Sequence, residues 1–156
     1  MYNRLFYLRD YNGLSQEYLA NMLGVSQPAY SSWENGLKII PLKHLNTLCN
    51  YYNVDMDYML KLNDSTRNLK VKDNINRKEI GLRLKNIREH FNLSLRVLAK
   101  ELNTTSSTIS AYENGKTCIL TAFAYQICKK YNISMDYICC RVDDMFTIKK
   151  RVAIKS

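Results

Sequence analysis

Apolar residues recur every three or four positions along most of the chain, which is the spacing of amphipathic helices. The first such run ends at Tyr11, where "NG" follows. The second, "QEYLANML", sets Leu19 and Leu23 on one face behind the N-cap residue Ser15. Ser26 caps a third run, "QPAYSSWEN". No segment alternates apolar and polar residues strongly enough to predict a strand, so the pattern predicts short helices.

Two more helices follow the third. Pro41 precedes "LKHLNTLCNYY", and Asp55 caps a short fifth run, "DMDYML". The second and third runs are joined by the tight turn "GVS", where Gly24 suits the left-handed backbone that ends a helix. Ala20 supplies a small side chain where these two helices must cross. This arrangement favours a helix-turn-helix over an ordinary αα-hairpin.

The whole pattern occurs twice. A displacement of 79 residues pairs "LSQEYLANMLGVSQPAYSSWENG" with "LSLRVLAKELNTTSSTISAYENG", and "YYNVDMDYM" with "KYNISMDYI", without a gap. A repeat of this length is a small domain. The sequence therefore predicts an all-α fold of two tandem five-helix helix-turn-helix domains, at 1–62 and 83–144, with a polar linker at 63–82 and a basic tail at 145–156.

Charge is distributed unevenly between these parts. The net charge of +9 divides into −1 for residues 4–64, +3 for 65–82, +3 for 83–144 and +4 for 145–156. A basic excess favours a polyanionic partner, here nucleic acid rather than a membrane. No apolar run approaches the ~18 residues of a membrane span, and the N-terminus has no signal-peptide core. We expect a cytoplasmic protein with no membrane partner.

Catalytic and ligand-binding chemistry is weakly represented. The five cysteines include no CxxC pair, and Cys49 and Cys128 occupy equivalent helix positions, so core packing is favoured over metal ligation. His44 and His90 align with aromatic residues and are interpreted as packing side chains. No triad, phosphate loop or carboxylate cluster is evident, which predicts a non-enzyme without metal or cofactor. No third domain is large enough to bind a small-molecule effector.

Both copies resemble the helix-turn-helix domain of the phage-repressor/Cro (XRE) family. The resemblance runs from "LSQEYLANMLGVSQPAYSSWENG" through "NVDMDYML" and covers most of each copy. It implies a lambda-repressor-like fold in which "ENG" ends the recognition helix and begins a loop along the DNA backbone. It also implies a sequence-specific, double-stranded DNA-binding transcriptional regulator, with repression as the expected direction.

The resemblance implies a role for individual residues. Structural ion pairs are expected between Arg9 and Glu34 and between Arg88 and Glu113, and both members recur together in this chain. The DNA-binding residues implied for the first copy are Gln16 at a phosphate, Gln27, Pro28 and Ser32 at base edges with Ser26 beside them, and Asn35, Lys38 and Lys43 at the backbone. Those for the second copy are Arg96, Thr105, Ser106, Ser107, Ala111, Asn114 and Lys116.

The second copy departs from the family pattern. Leu95 stands where Gln16 does, and Arg96 beside it could compensate. Its expected reading residues can offer fewer hydrogen bonds, although the copy carries more positive charge. One hypothesis is a division of labour, in which the first copy reads sequence and the second holds the phosphates or the partner. The alternative is an antitoxin-type regulator whose second copy binds a protein. Both a homodimer and an intramolecular pseudo-dimer are compatible with the sequence, and the tail is compatible with a strand, a DNA-binding arm or disorder.

Overall fold

A computed structural model describes residues 4–147, and all of the regular secondary structure in this range is helical. The first repeat contains α1 (Leu5–Tyr11), α2 (Gln16–Leu23), α3 (Gln27–Glu34), α4 (Leu42–Tyr52) and α5 (Met56–Met59). The second contains α6 (Arg77–His90), α7 (Leu95–Glu101), α8 (Ser106–Glu113), α9 (Thr121–Tyr131) and α10 (Met135–Ile138). One isolated antiparallel bridge joins Ile133 to Phe146, and residues 4–147 contain no strand. The remainder of the predicted tail, 148–156, lies outside the described residues.

Several helix boundaries follow from the capping chemistry that the sequence predicted. The Ser15 and Ser26 hydroxyls accept the backbone N–H of Tyr18 and Ala29, which satisfies donors that the helices leave unpaired. Gly24 ends α2 at φ 69°, and Asn103 takes the same left-handed conformation at φ 56° after α7. The predicted all-α fold with two helix-turn-helix units is confirmed.

Helix α6 differs from its counterpart in length. It has 14 residues against 7 in α1, and it begins at Arg77, inside the range predicted as linker. Asn76 starts it by accepting the backbone N–H groups of Lys78 and Glu79. The extra turns pack across the end of α8. An ideal Cβ built on Gly81 would lie 2.4 Å from the carbonyl oxygen of Tyr112, so this position requires glycine.

Each repeat has a compact apolar core. The small side chains of Ala20 and Ala99 are buried where the second and third helices of each repeat cross. The thiols of Cys49 and Cys128 are buried in the core, as predicted, and burial raises the pKa of both well above the ordinary range. Neither thiol is therefore set up as a nucleophile or a metal ligand.

The two histidines pack against aromatic rings. The His44 ring lies 5.3 Å from that of Trp33, and the His90 ring lies 4.9 Å from that of Phe91, measured between centroids. Burial lowers the pKa of His44, which favours the neutral ring. The interpretation of both residues as packing side chains is confirmed.

The repeats are in direct contact along what we call the inter-repeat seam, formed by α5, α10 and the contact between Ile40 and Thr121. The Thr121 hydroxyl donates to the Ile40 carbonyl oxygen at 2.6 Å, across a buried boundary. The linker is bound as well, because the side-chain amides of Asn46 and Asn50 both donate to the Lys72 carbonyl oxygen at 2.8 Å. The described residues therefore hold the two repeats together at a packed interface.

Candidate nucleic-acid interface

The third helix of each repeat buries one face and exposes the other. Helix α3 buries Tyr30 and Trp33, and α8 buries Ile109 and Tyr112. Exposed members of the predicted DNA-binding set are Ser26, Gln27, Pro28, Asn35, Lys38 and Lys43 in the first repeat, and Arg96, Thr105, Ser106, Ser107, Asn114 and Lys116 in the second. Gln16, Ser32 and Ala111 are half-buried. The fold thus leaves almost the whole set at the surface.

In the first repeat, a chain of hydrogen bonds orients the side chain of Gln27. Its Nε2 donates to Gln16 Oε1 at 2.8 Å, and Gln16 Nε2 donates to Glu34 Oε2 at 3.0 Å. Arg9 completes the chain with Nε 2.6 Å from Glu34 Oε1 and Nη2 3.1 Å from Oε2. Gln16, expected at a phosphate, therefore joins Gln27 to the Arg9–Glu34 ion pair.

The Arg9–Glu34 ion pair, at the end of this series of hydrogen bonds, is held by several contacts. The Glu34 side chain is only 2% exposed, and Arg9 contacts it through two nitrogens. Burial opposes ionisation of Glu34, but hydrogen bonds from Arg9 and Gln16 outweigh it and keep its pKa below the ordinary value. A third Arg9 nitrogen donates to the Leu14 carbonyl oxygen at 2.9 Å. The pair fixes the end of α3 to α1.

Two other polar side chains of α3 are engaged within the helix. The Ser32 hydroxyl donates to the Ala29 carbonyl oxygen at 2.6 Å, so it is left to act as an acceptor. The Asn35 amide donates to Ser31 Oγ at 3.2 Å. Of the expected base-reading residues in this repeat, Gln27 therefore keeps the most adaptable donor and acceptor pair.

The second repeat keeps the ion pair but lacks the amide chain. Arg88 Nε lies 2.6 Å from Glu113 Oε1, and Arg88 Nη1 donates to the Leu93 carbonyl oxygen at 2.9 Å. Leu95 cannot accept a hydrogen bond, so nothing links Ser106 to Glu113 as Gln16 links Gln27 to Glu34. The third helices of the two repeats are therefore fixed by the same ion pair but expose different side chains.

Three exposed lysines near the third helices are not paired with a carboxylate and can contact an anionic partner. Among residues 4–147, Lys38, Lys43 and Lys116 form no ion pair with a carboxylate. Each lies just after the third helix of its repeat or near the start of the fourth. This placement suits contacts with a phosphate backbone.

Sequence reasoning missed Lys78. An ideal Cβ on Gly115 would lie 2.7 Å from Lys78 Cγ, so this side chain lies against the loop that follows α8. Lys78 is exposed and adds a cation beside Lys116. The N-cap residue Asn76 was the signal that would have placed this helix start correctly.

The buried charges at the seam were also missed. Asp55, Asp57 and Asp136 are each 0% exposed, and Arg67 and Arg141 bind them. The repeated "MDY" was visible in the sequence, but it did not show that Asp57 and Asp136 would face each other's repeat. Contacts between repeats depend on tertiary packing.

The described part of the chain was searched for a metal-binding cluster and for a membrane-spanning helix. Residues 4–147 hold no group of three or more histidine, cysteine or acidic side chains arranged to bind a metal ion. No helix in that range is both long and apolar enough to cross a membrane.

Comparison with known proteins matches both repeats to helix-turn-helix families. A family model described as "Helix-turn-helix" matches residues 5–59, and one described as "Helix-turn-helix domain" matches residues 81–143. An uncharacterized HTH-type transcriptional regulator, YobD of Bacillus subtilis (strain 168), is 38% identical over 61 residues. That alignment covers 39% of this chain and 54% of the relative. The chain thus spans about half the length of this curated relative.

Two solved structures of the clp gene regulator ClgR from Corynebacterium glutamicum are also similar. Each is 18% identical to this chain. The alignment with the first structure has a TM-score of 0.38 and covers 51% of this chain and 78% of the ClgR chain. The alignment with the second has a TM-score of 0.40 and covers 50% of this chain and 100% of the ClgR chain. The family assignment rests on the two matched domains and not on these structures.

Proposed function

The chain belongs to the helix-turn-helix family of the phage-repressor/Cro (XRE) type, and from this premise we propose that it is a sequence-specific, double-stranded DNA-binding transcriptional regulator that acts as a repressor. Helices α3 and α8 are the proposed major-groove elements. The observation that carries the proposal is the oriented, exposed side chain of Gln27, held through Gln16 by the buried Arg9–Glu34 pair.

An oriented glutamine suits base reading for a physical reason. A glutamine amide can donate to and accept from one adenine edge at once, and a good bidentate contact is worth about 1–3 kcal/mol of discrimination. A side chain already fixed by hydrogen bonds loses less conformational entropy on binding than a free one. The contact with Gln16 uses one Nε2 hydrogen of Gln27 and leaves the other hydrogen and Oε1 available.

The flanking cations supply affinity without sequence preference. Lys38, Lys43, Lys78 and Lys116 are exposed around the two recognition helices. Neutralising phosphates releases condensed counterions, so DNA affinity should fall steeply as salt rises. In this proposal, phosphate contacts set the position of each repeat and the exposed faces of α3 and α8 distinguish sequences.

The protein-binding alternative for the second repeat has one observation in its favour. Leu95 removes the polar anchor that Gln16 provides in the first repeat. Helix α8, however, exposes Ser106 and Ser107, and its one acidic residue, Glu113, is buried against Arg88. This exposed surface is therefore neither acidic nor apolar, which is the character that would favour a protein partner, so we propose DNA binding for both repeats.

The test uses the whole chain and selected DNA. Binding sites are first enriched from a pool of random duplexes, and fluorescence anisotropy then compares selected and random DNA at two salt concentrations. We expect preferential, salt-sensitive binding to the selected DNA. The Gln27→Ala variant should lose about 1–3 kcal/mol of that preference. Gln126→Ala, which removes an exposed glutamine of α9, is the matched control and should leave it intact. Equal binding to selected and random DNA would contradict the proposal.

The direction of regulation needs a separate measurement. A reporter promoter that carries the selected site should give less transcript when the protein is present, because a bound protein excludes polymerase. An increase in transcript would refute repression while leaving DNA binding in place.

A further inference from the structure

The seam is built from a reciprocal pair of contacts. Asp57 Oδ1 accepts the backbone N–H of Met135 at 2.6 Å, and Asp136 Oδ1 accepts the backbone N–H of Met56 at 2.9 Å. The 79-residue displacement makes Met56 equivalent to Met135, and Asp57 equivalent to Asp136. Each repeat thus gives the other the same contact that it receives, which is the defining property of a two-fold interface.

Two arginines neutralise this contact and bring the linker into it. Arg67 lies 2.7 Å from Asp55, 2.9 Å from Asp57 and 3.3 Å from Asp136. Arg141 lies 3.0 Å from Asp136, and its side chain is 2% exposed. A buried network of this kind holds one relative placement of the repeats, because displacement would leave charges unpaired away from water. The repeats are therefore locked together and are not free on a flexible tether.

Both recognition helices lead into this same seam. Helix α3 ends at Glu34 and its following loop reaches Ile40, whereas α8 ends at Glu113 and its loop reaches α9 at Thr121, which binds Ile40. The reciprocal contacts relate α5 and α10 by a pseudo-two-fold axis, and from this we expect the third helices of the two repeats to flank the seam in inverted orientation. The surfaces of α5 and α10 are buried within the chain, so they are not available to a second copy.

The second and third helices of the two repeats nevertheless carry different side chains at equivalent positions. Gln27 in the first repeat is Ser106 in the second, Gln16 is Leu95 and Ser32 is Ala111. In a dimer of identical chains, the two-fold axis makes the half-sites of the operator identical. Here the backbone relation is two-fold while the reading residues are unlike.

We propose that a single copy of the chain recognises a non-palindromic operator made of two unlike, inverted half-sites whose spacing is set by the seam. This rests on the proposed DNA-binding function. The half-sites lie on one face of the duplex, about one helical turn apart. Gln27 sets base preference in only one of them.

Wild-type protein and altered DNA test the proposal. The site recovered by selection should contain two different half-sites, and native mass spectrometry should show one chain per duplex. Inserting 5 bp between the half-sites turns them to opposite faces and should weaken binding by about 100-fold or more. Inserting a full turn of 10 bp should weaken it similarly, since a locked seam cannot follow, whereas a flexible linker would tolerate that change.

Variants assign each half-site to its repeat. Gln27→Ala should relax base preference in one half-site only, and Ser106→Ala should affect only the other. A palindromic site bound by two chains, or tolerance of the 10-bp insertion, would overturn this inference and leave the DNA-binding proposal standing. Failure to select any site would instead remove the proposed function itself.

Discussion

Replacing Asp136 by alanine tests the seam most directly. The Asp136 carboxylate accepts the backbone N–H groups of Met56 and Asp57, both at 2.9 Å, and it contacts Arg67 and Arg141. The residue is 0% exposed, so water cannot replace these contacts without opening the seam. Alanine would leave two buried donors and part of two arginine side chains without an acceptor.

The expected cost can be bracketed in two ways. Each buried donor left unpaired costs about 1–3 kcal/mol. Removing one partner from a buried ion pair costs about 3–5 kcal/mol. Loss of the negative charge also relieves repulsion on Asp57, which lowers the total. We expect Asp136→Ala to reduce the free energy of unfolding by about 4 kcal/mol, a large share of the roughly 5–15 kcal/mol typical of a native protein.

Urea unfolding followed by two probes measures this cost. The single tryptophan, Trp33, lies in the first repeat, whereas far-ultraviolet circular dichroism reports helices of both repeats. In the wild-type protein the seam couples the repeats, so the two transitions should coincide. In Asp136→Ala they should move to lower urea and separate, because each repeat then unfolds on its own.

Asp143→Ala is the matched control. Asp143 pairs with Arg83 at 3.1 Å, but its side chain is fully exposed, and an exposed ion pair is worth at most about 1 kcal/mol. An Asp136→Ala cost no larger than that of this control, or two transitions that stay coincident at an unchanged midpoint, would show that the seam does not couple the repeats.

Three further predictions concern the buried ion pair, the close helix crossing and pH. Glu34→Ala should destabilise the protein by about 3–5 kcal/mol and should also weaken its preference for selected DNA. Glu113→Ala should destabilise the protein without changing the base preference of the first half-site. Urea unfolding measures the loss of stability, and anisotropy on selected duplexes measures the preference. Gly81→Ala should lower the free energy of unfolding by about 1–3 kcal/mol, because its Cβ would meet backbone oxygen atoms. Asn86→Ala, at an exposed position of the same helix, is the control and should stay within about 0.5 kcal/mol of wild type. Thermal unfolding measures both changes. Burial and the Asp136 carboxylate raise the pKa of Asp57 to about 8, so the folded state favours the protonated Asp57 carboxyl. The stability that this protonation contributes is full below the ordinary aspartate pKa and is lost as pH rises toward and through 8. The loss is at most about 1.4 kcal/mol per pH unit. The melting temperature should therefore fall from pH 6 to pH 9, and Asp57→Asn should flatten that fall; an identical pH dependence in the variant would show that another group is responsible.

Much of the fold was readable from the chain because its signals are local. Caps such as Ser15 and Ser26 act on backbone groups three residues away, and Gly24 or Asn103 ends a helix through its own backbone conformation. The repeat itself is a comparison of the sequence with itself. None of these inferences requires knowledge of which distant residues meet.

The candidate site was predictable only in part. The exposed positions of α3 and α8 follow from helical periodicity and from the family resemblance. The chain from Gln27 through Gln16 to Glu34 does not, because it depends on the angle at which α2 meets α3. Lys78 beside Gly115 was missed for a similar reason, since its position depends on how α6 crosses the end of α8.

Local signals in the sequence are sufficient for the number and order of the helices, the two-fold repetition and the unlike residues at equivalent positions, but they misplaced the start of α6. Only the tertiary structure decided how the repeats are related. Asp57 and Asp136 are identical residues in matching segments, and aspartate is a residue type that on local evidence favours exposure. They are buried because the partner that satisfies each one is the backbone of the other repeat, and a contact between residues 78 positions apart is set by packing and not by local pattern.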